Sequence, residues 1–313
     1  MLKQIALLIL CAVAIVLFAT PVQACTSAVV SGKVTPDGRP LLWKNRDTDF
    51  MRNHVDYVKG EKYDFIAVVN SANAYLKEAW MGTNSAGFAL MNTQSYNLVD
   101  IKGDEERGAA NGRVIYRALE VCATVEDFCH FLDTISKPSD IEANFGVIDA
   151  QGGAAMFEVD YYKYVMYDAN NPKDAPYGYI ARTNFSFAGK VNEGAGYVRY
   201  MEADQVLMKA SATGSITPQF IFNDLSRSFR NRMLDIDLRS GAYNRPQASG
   251  WFVDQDFIPR SSTSCSVVVQ GVKPGEKAEL TTMWTLLGYP PTGIAVPLWV
   301  KDAGKLLPGM VRF

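Results

Sequence analysis

Cys25 lies where removal of a leader would make it the first residue of the chain. A terminal cysteine carries a nucleophilic thiol and a basic amine on one residue. Lys3 precedes an apolar run from Ile5 to Phe18, Pro21 follows, and Val22-Gln23-Ala24 supplies the small residues of a cleavage site. The run is short for a membrane span. Cleavage after Ala24 leaves Cys25-Thr26-Ser27 at the new terminus. The α-amine titrates near neutral pH and can take the thiol proton, which is the chemistry of covalent acyl transfer. Two other roles compete for the same residue. Bacterial lipoproteins are lipidated at a cysteine just after the leader, and Val22 and Ala24 suit that signal while Gln23 suits it poorly. The third is a structural cysteine at the start of a strand.

Other catalytic chemistries have less to build on. His54 and His130 are the only histidines, too few to favour a Ser-His-Asp triad or a zinc site. Chemistry at a terminal nucleophile needs no histidine, and neither metal nor cofactor is expected. Cys265 sits mid-strand among Ser264, Ser266 and Val267 and has no free amine. Cys122 and Cys129 are expected on consecutive helices as small buried apolar residues; on one helix, seven residues apart, they would stand roughly 10 Å from each other, too far to bridge. Without residues 1–24 the chain holds 289 residues, with 30 Lys and Arg against 33 Asp and Glu. That balance shows no basic stripe for nucleic acid. No second apolar span follows, so the mature protein is expected to be soluble, exported and without a stable membrane span.

Positioning Cys25 requires the elements around it. Cys25 to Ser31 reads as a strand, Thr35-Pro36-Asp37-Gly38 as a turn, and Arg39 to Lys44 as the returning strand. Tyr63–Asn70, Gly87–Asn92, Asn144–Asp149, Ala154–Val159, Tyr164–Tyr167 and Tyr179–Arg182 read as further strands. Gly112 to Ala123 reads as a helix, and Thr124 caps a second over Val125–Ile135 with Glu126 and Asp127 in its first turn. Tyr197 to Ala210 is helical by period, and Thr217-Pro218 opens another helix. Ser264–Gln270, Ala278–Met283 and Gly293–Val300 close the chain as strands. Strands, then helices, then strands predict an α+β fold, and the absence of a linker predicts one domain over 25–313.

Cys25-Thr26-Ser27 followed by Asn45-Arg46-Asp47 resembles the choloylglycine hydrolase clan of N-terminal nucleophile (Ntn) hydrolases. That clan includes bile salt hydrolases, penicillin V acylases, acid ceramidase-like amidases and isopenicillin N acyltransferases. The 22 residues from Cys25 to Asp47 suit the clan's first hairpin. Gly82-Thr83-Asn84-Ser85-Ala86-Gly87 is similar to its G-x-N-x-x-G turn, leading to Met91-Asn92-Thr93. Thr183-Asn184 resembles its Thr-Asn pair, and Asn144 to Glu158 its central hairpin. The resemblance implies a four-layer αββα sandwich. It also implies Cys25 as nucleophile, Asp47 as acceptor for the Cys25 amine or thiol, and Asn92 and Asn184 as oxyanion donors. Arg199, 15 residues after Asn184, matches a site arginine of the acid ceramidase-like members. Where the clan places an arginine three residues before the aspartate, this chain has Lys44, with Arg46 beside Asp47.

The reading is a secreted or periplasmic cysteine amidohydrolase of linear amides, acting on N-acyl amino acid, bile-salt or penicillin V type substrates. An apolar acyl group would lie among Trp43, Phe50, Trp80, Tyr96 and Trp284. An acyltransferase using the same chemistry, or a non-catalytic lipoprotein tethered through Cys25, is the alternative. The partner is a small-molecule amide, and a homo-oligomer is compatible with the sequence.

Overall fold

The computed structural model describes residues 24–99, 108–241, 256–305 and 307–312. The proposed leader, residues 1–24, therefore lies outside them but for Ala24.

Two antiparallel sheets stack face to face. The first six strands are β1 (Thr26–Val30), β2 (Leu41–Asp47), β3 (Asn53–Val58), β4 (Phe65–Asn70), β5 (Met81–Asn84) and β6 (Ala89–Gln94). After two helices, α1 (Asn111–Val121) and α2 (Val125–Thr134), come β7 (Ala143–Ile148), β8 (Ala154–Val159), β9 (Tyr164–Asp168) and β10 (Tyr179–Arg182). Helix α3 (Tyr197–Ala212) precedes the small ladder of β11 (Arg230–Asn231) and β12 (Ile236–Asp237). The described chain then adds β13 (Thr263–Gln270), β14 (Thr282–Leu287) and β15 (Val296–Leu298). One sheet is the meander β3-β4-β5-β6-β7-β8-β9; the other runs β10-β1-β2-β13-β14-β15.

The period-two alternation of the strands assigns every layer. Val29, Leu42, Ile66, Val68, Met91, Ile148, Val267 and Val269 fill the gap between the sheets. Their neighbours point outward. Phe65, Leu90, Phe145 and Val147 pack under Ile115, Leu119, Phe128 and Leu132 of α1 and α2. On the opposite outer face Ala28, Leu41, Trp43 and Val268 pack under Ala203, Leu207 and Ala210 of α3. The result is helix, sheet, sheet, helix, the four-layer αββα sandwich of the Ntn hydrolases. Thr124 caps α2 through a box closed by Asp127.

Gly146 marks how closely the sheets approach. A Cβ there would stand 2.3 Å from Met91 Cε and 2.8 Å from both Leu42 Cδ1 and Val29 Cγ2. Gly146→Val is therefore expected to lower stability by about 1–3 kcal/mol through overpacking, read as a fall in the urea midpoint at unchanged slope.

Several sequence expectations shift. β3 and β5 were not anticipated, because Asn53–Val58 and Met81–Asn84 carry too many polar residues or too few positions for a clear period. Ala278–Leu280 forms a 3₁₀ turn, and the strand starts only at Thr282. The helix opened by Thr217 is short, Pro218–Phe220, and runs into a π turn at Ile221–Leu225. Cys122 is buried as expected, but Cys129 is only partly so and lies 3.9 Å from Met166 Sδ. Trp43 and Trp284 lie on the α3 side of the sheet, which removes them from an acyl pocket on the inter-sheet side.

Candidate active site

Cys25 precedes β1 and is 7% exposed. Because β1 pairs with β2 in the register Ser27↔Lys44, Cys25 falls beside Arg46. β13 lies on the other side of β2 with Cys265 opposite Arg46 and Thr263 opposite Asp47. The inter-sheet face of these strands thus gathers Cys25, Lys44, Arg46 and Cys265.

Three groups meet the Cys25 main chain. Its N–H donates to Asn184 Oδ1 at 3.0 Å, and its carbonyl accepts from Arg199 Nη1 at 2.6 Å. Arg199 also donates to Thr26 Oγ1 at 2.8 Å and, through Nη2, to Asn184 Oδ1 at 2.7 Å. Asn184 Nδ2 donates to Gln94 O at 2.8 Å, so both ends of the amide are assigned by their partners. Asn184 is set by β10, which ends at Arg182, and by a two-way backbone bridge to Ala195. Arg199 stands in the first turn of α3, entered through Gly196 at φ +86°. A Cβ on Gly196 would come 2.4 Å from Arg199 Nη2, so only glycine lets the guanidinium fold back over the helix start.

The expected role of Asp47 needs one correction of geometry. Its backbone carbonyl, not its carboxylate, is what the Cys25 thiol meets, at 3.8 Å. The carboxylate accepts from Thr263 Oγ1 at 2.6 Å, and its Oδ2 lies 3.0 Å from Arg260 Nε. Oδ2 has no aligned hydrogen bond, so the Arg260 contact is one of charge rather than direction. Burial outweighs these cations and raises the Asp47 carboxyl to about 6. Between its ordinary value near 3.8 and about 6, the folded chain holds a proton that the unfolded chain has released. Stability from this group is thus greatest at the acid end and is lost as pH rises through that window. Asp47→Asn is expected to flatten this part of the profile, measured as urea midpoints of both proteins from about pH 4 to 6.5.

Lys44 and Arg46, alternatives in the sequence, occupy distinct places. Lys44 is 3% exposed and donates to Trp80 O and Asn92 Oδ1, each at 3.0 Å. Arg46 is 4% exposed, bonds Asn53 Oδ1 and Asn70 Oδ1, and stacks 4.7 Å from the Trp80 ring centroid. Neither enters an ion pair among the described residues. Desolvation pulls Lys44 down to about 8, and the charge that most supports it is Cys25. For Arg46 Cys265 comes first and Cys25 second. Both cations therefore feel Cys25, which lies beside Arg46 across the β1–β2 pair and shares a strand face with Lys44. Arg199 is pulled down to about 10 by burial against the nearby Asp47 charge. Lys44, Arg46, Arg199 and Arg260 surround one carboxylate, a field that stabilises negative charge on sulfur or on a substrate oxygen.

The structure brings together Cys25, Asp47, Asn184 and Arg199 by direct contact; Arg46 lies opposite Cys25 but bonds Asn53 and Asn70, and Lys44 bonds Asn92. Sequence reasoning missed Arg260, Thr263 and Gln94. Thr263 and Asp47 are 216 positions apart, and only the β2–β13 register joins them. Nothing local in Pro259-Arg260-Ser261 announces that contact. Tyr96 is partly buried, with its phenol pushed up by burial and by the nearby Cys25 charge. Phe50 is 43% exposed.

Two stacked antiparallel sheets between helix layers form the Ntn hydrolase fold, and here a cysteine stands at the head of its first strand. A variant of conjugated bile acid hydrolase from Clostridium perfringens shares this fold at TM-score 0.50, with 13% identity over 87% of this chain and 92% of that one. Penicillin V acylase from Agrobacterium tumefaciens aligns at TM-score 0.43, with 16% identity over 84% and 82%. The N-acylethanolamine-hydrolyzing acid amidase ortholog of Caenorhabditis elegans aligns at 0.42, with 16% identity over 64% and 89%. No curated protein sequence matches the chain. The family model of the acyl-coenzyme A:6-aminopenicillanic acid acyl-transferases matches residues 34–211. The chain belongs to that family.

Proposed function

We propose that the mature chain begins at Cys25 after export and is a cysteine amidohydrolase of linear amides. The observation that carries this reading is the convergence of Asn184 Oδ1 and Arg199 on the main chain of Cys25, at the head of β1. Once Ala24 is removed, the nitrogen bonded to Asn184 becomes an amine. Asn184 then orients the base, and Arg199 fixes the residue that carries it.

The amine takes the thiol proton and the sulfur attacks the amide carbonyl carbon. The carbonyl oxygen becomes an oxyanion, met by Asn92 Nδ2 and by the field of the buried cations. When the C–N bond breaks, the leaving amine takes the proton and a thioester remains on Cys25. Water, deprotonated by the same α-amine, adds to the thioester carbonyl; the C–S bond breaks, the carboxylic acid leaves, and the α-ammonium returns its proton to the Cys25 thiolate. If a second amine replaces water, the outcome is acyl transfer, a reading favoured by the name of the family that matches. The acyl group is apolar, and the substrates are N-acyl amino acids, conjugated bile salts or penicillin V.

In this reading Asn184 holds the amine by its oxygen rather than donating to the oxyanion. A misplaced catalytic group costs on the order of a hundred-fold, so Asn184→Ala is expected to cut kcat by about that factor and leave binding to a Cys25→Ala background nearly unchanged. A kcat within a few-fold of the parent would make Asn184 a turn residue. A screen of free Cys25 protein across the three substrate groups, with and without an added acceptor amine, tests the activity. Release of amine from at least one group is expected, and no release from any would sink the proposal.

A further inference from the structure

Asn92 is 3% exposed, and its oxygen is held by a buried ammonium. Lys44 Nζ has two acceptors, Asn92 Oδ1 and Trp80 O. Both are neutral, although a lone buried ammonium is costly unless it is paired. The arrangement has a consequence for Asn92. An amide held by its oxygen must present its NH₂ elsewhere, and Asn92 Nδ2 has no partner among the described residues. Nδ2 is not one of the sealed polar atoms that lack a partner, so the donor keeps some exposure of its own and can meet a group entering the site. Here it stands beside Lys44, which shares a strand face with Arg46 and with Cys25 opposite it.

We propose that Lys44 is a positioning residue that holds Asn92 by Oδ1 and thereby keeps Asn92 Nδ2 as a fixed donor for the scissile carbonyl oxygen. The inference rests on the amidohydrolase reading above and adds to it the means by which the donor is oriented. It also gives the lysine a task that does not depend on delivering charge to the sulfur. Trp80 O anchors the other side of the ammonium, so the Lys44 side chain is fixed by the edge of β5 as well as by β6.

The test compares two reactions of the same thiol. Acylation by an amide substrate builds an oxyanion; alkylation by iodoacetamide does not. Lys44→Met is expected to slow acylation far more than alkylation, with KM changed little. Asn92→Ala should do the same, by about a hundred- to a thousand-fold, as expected for one lost oxyanion donor. In the Asn92→Ala background, Lys44→Met should cost no further excess in acylation over alkylation, because the group it positions is gone. If Lys44→Met does not fold, Lys44→Gln enters the same cycle. Equal slowing of both reactions would overturn the proposal, as would an excess that persists without the Asn92 amide. Turnover by Cys25→Ala would instead overturn the amidohydrolase reading itself, so the two failures are distinguishable.

Discussion

A chain carrying Cys25→Ala is expected to fold normally and to lose essentially all turnover. Removing a nucleophile that acts as part of a catalytic unit costs on the order of a million-fold elsewhere. The fold has little to lose from the change. Cys25 lies outside the strand pairing of β1, and among the described residues its sulfur's hydrogen-bond contact is the long one to Asp47 O. Its N–H and carbonyl, which carry the bonds to Asn184 and Arg199, are present in alanine. Circular dichroism and the urea midpoint should match the parent, while product release falls to the uncatalysed rate. Cys25→Ser should behave likewise, since serine is a weaker nucleophile at the same place. Retained turnover in Cys25→Ala would end the account.

The second large effect concerns the amine. A chain that begins Met-Gly-Cys25 and is not trimmed is expected to be folded and inactive. A peptide nitrogen cannot accept the thiol proton, whereas an α-amine titrating near neutral pH can. Asn184 Oδ1 accepts from either, so the geometry survives while the base does not. His54→Ala and His130→Ala should keep their activity. His54 sits on β3 against Ser71 Oγ, and His130 lies on α2 in the outer helix layer. Loss of activity in either, with the fold intact, would point to a cysteine–histidine mechanism. Activity of the untrimmed chain would show that the base lies elsewhere.

The parts of the fold that the sequence made legible are those with strong local signals. The hairpin after Cys25 is bounded by Thr35-Pro36-Asp37-Gly38, and its strands alternate as the two-faced burial requires. The capped helix over Val125 and the alternating strands around Asn144 and Ala154 are equally explicit. Asn53–Val58 is weak alone because it lies at a sheet edge with half its residues polar, and only pairing with β4 makes it a strand. The site divides in the same way. Cys25 could be named from the leader and its cleavage site, and Asp47 and Asn184 from the resemblance of the segments around them to the clan. The partners that decide how each is used could not. Which end of the Asn184 amide faces Cys25 depends on Gln94 and Arg199. That Lys44 holds Asn92, while Arg46 is retained by Asn53, Asn70 and Trp80, follows from the gap between two sheets. Arg260 reaches Asp47 only because β13 lies beside β2.

Mass spectrometry of the chain quenched during turnover tests the central claim most directly. Protein beginning at Cys25 is mixed with a cleavable amide, stopped in acid, and digested. The account predicts that the peptide starting at Cys25 gains the mass of the substrate's acyl group as a thioester, that hydroxylamine removes it, and that Asn92→Ala and Asn184→Ala reduce its formation. Turnover with the Cys25 peptide unmodified throughout, or an acyl group carried on Cys265 or another residue, would contradict it.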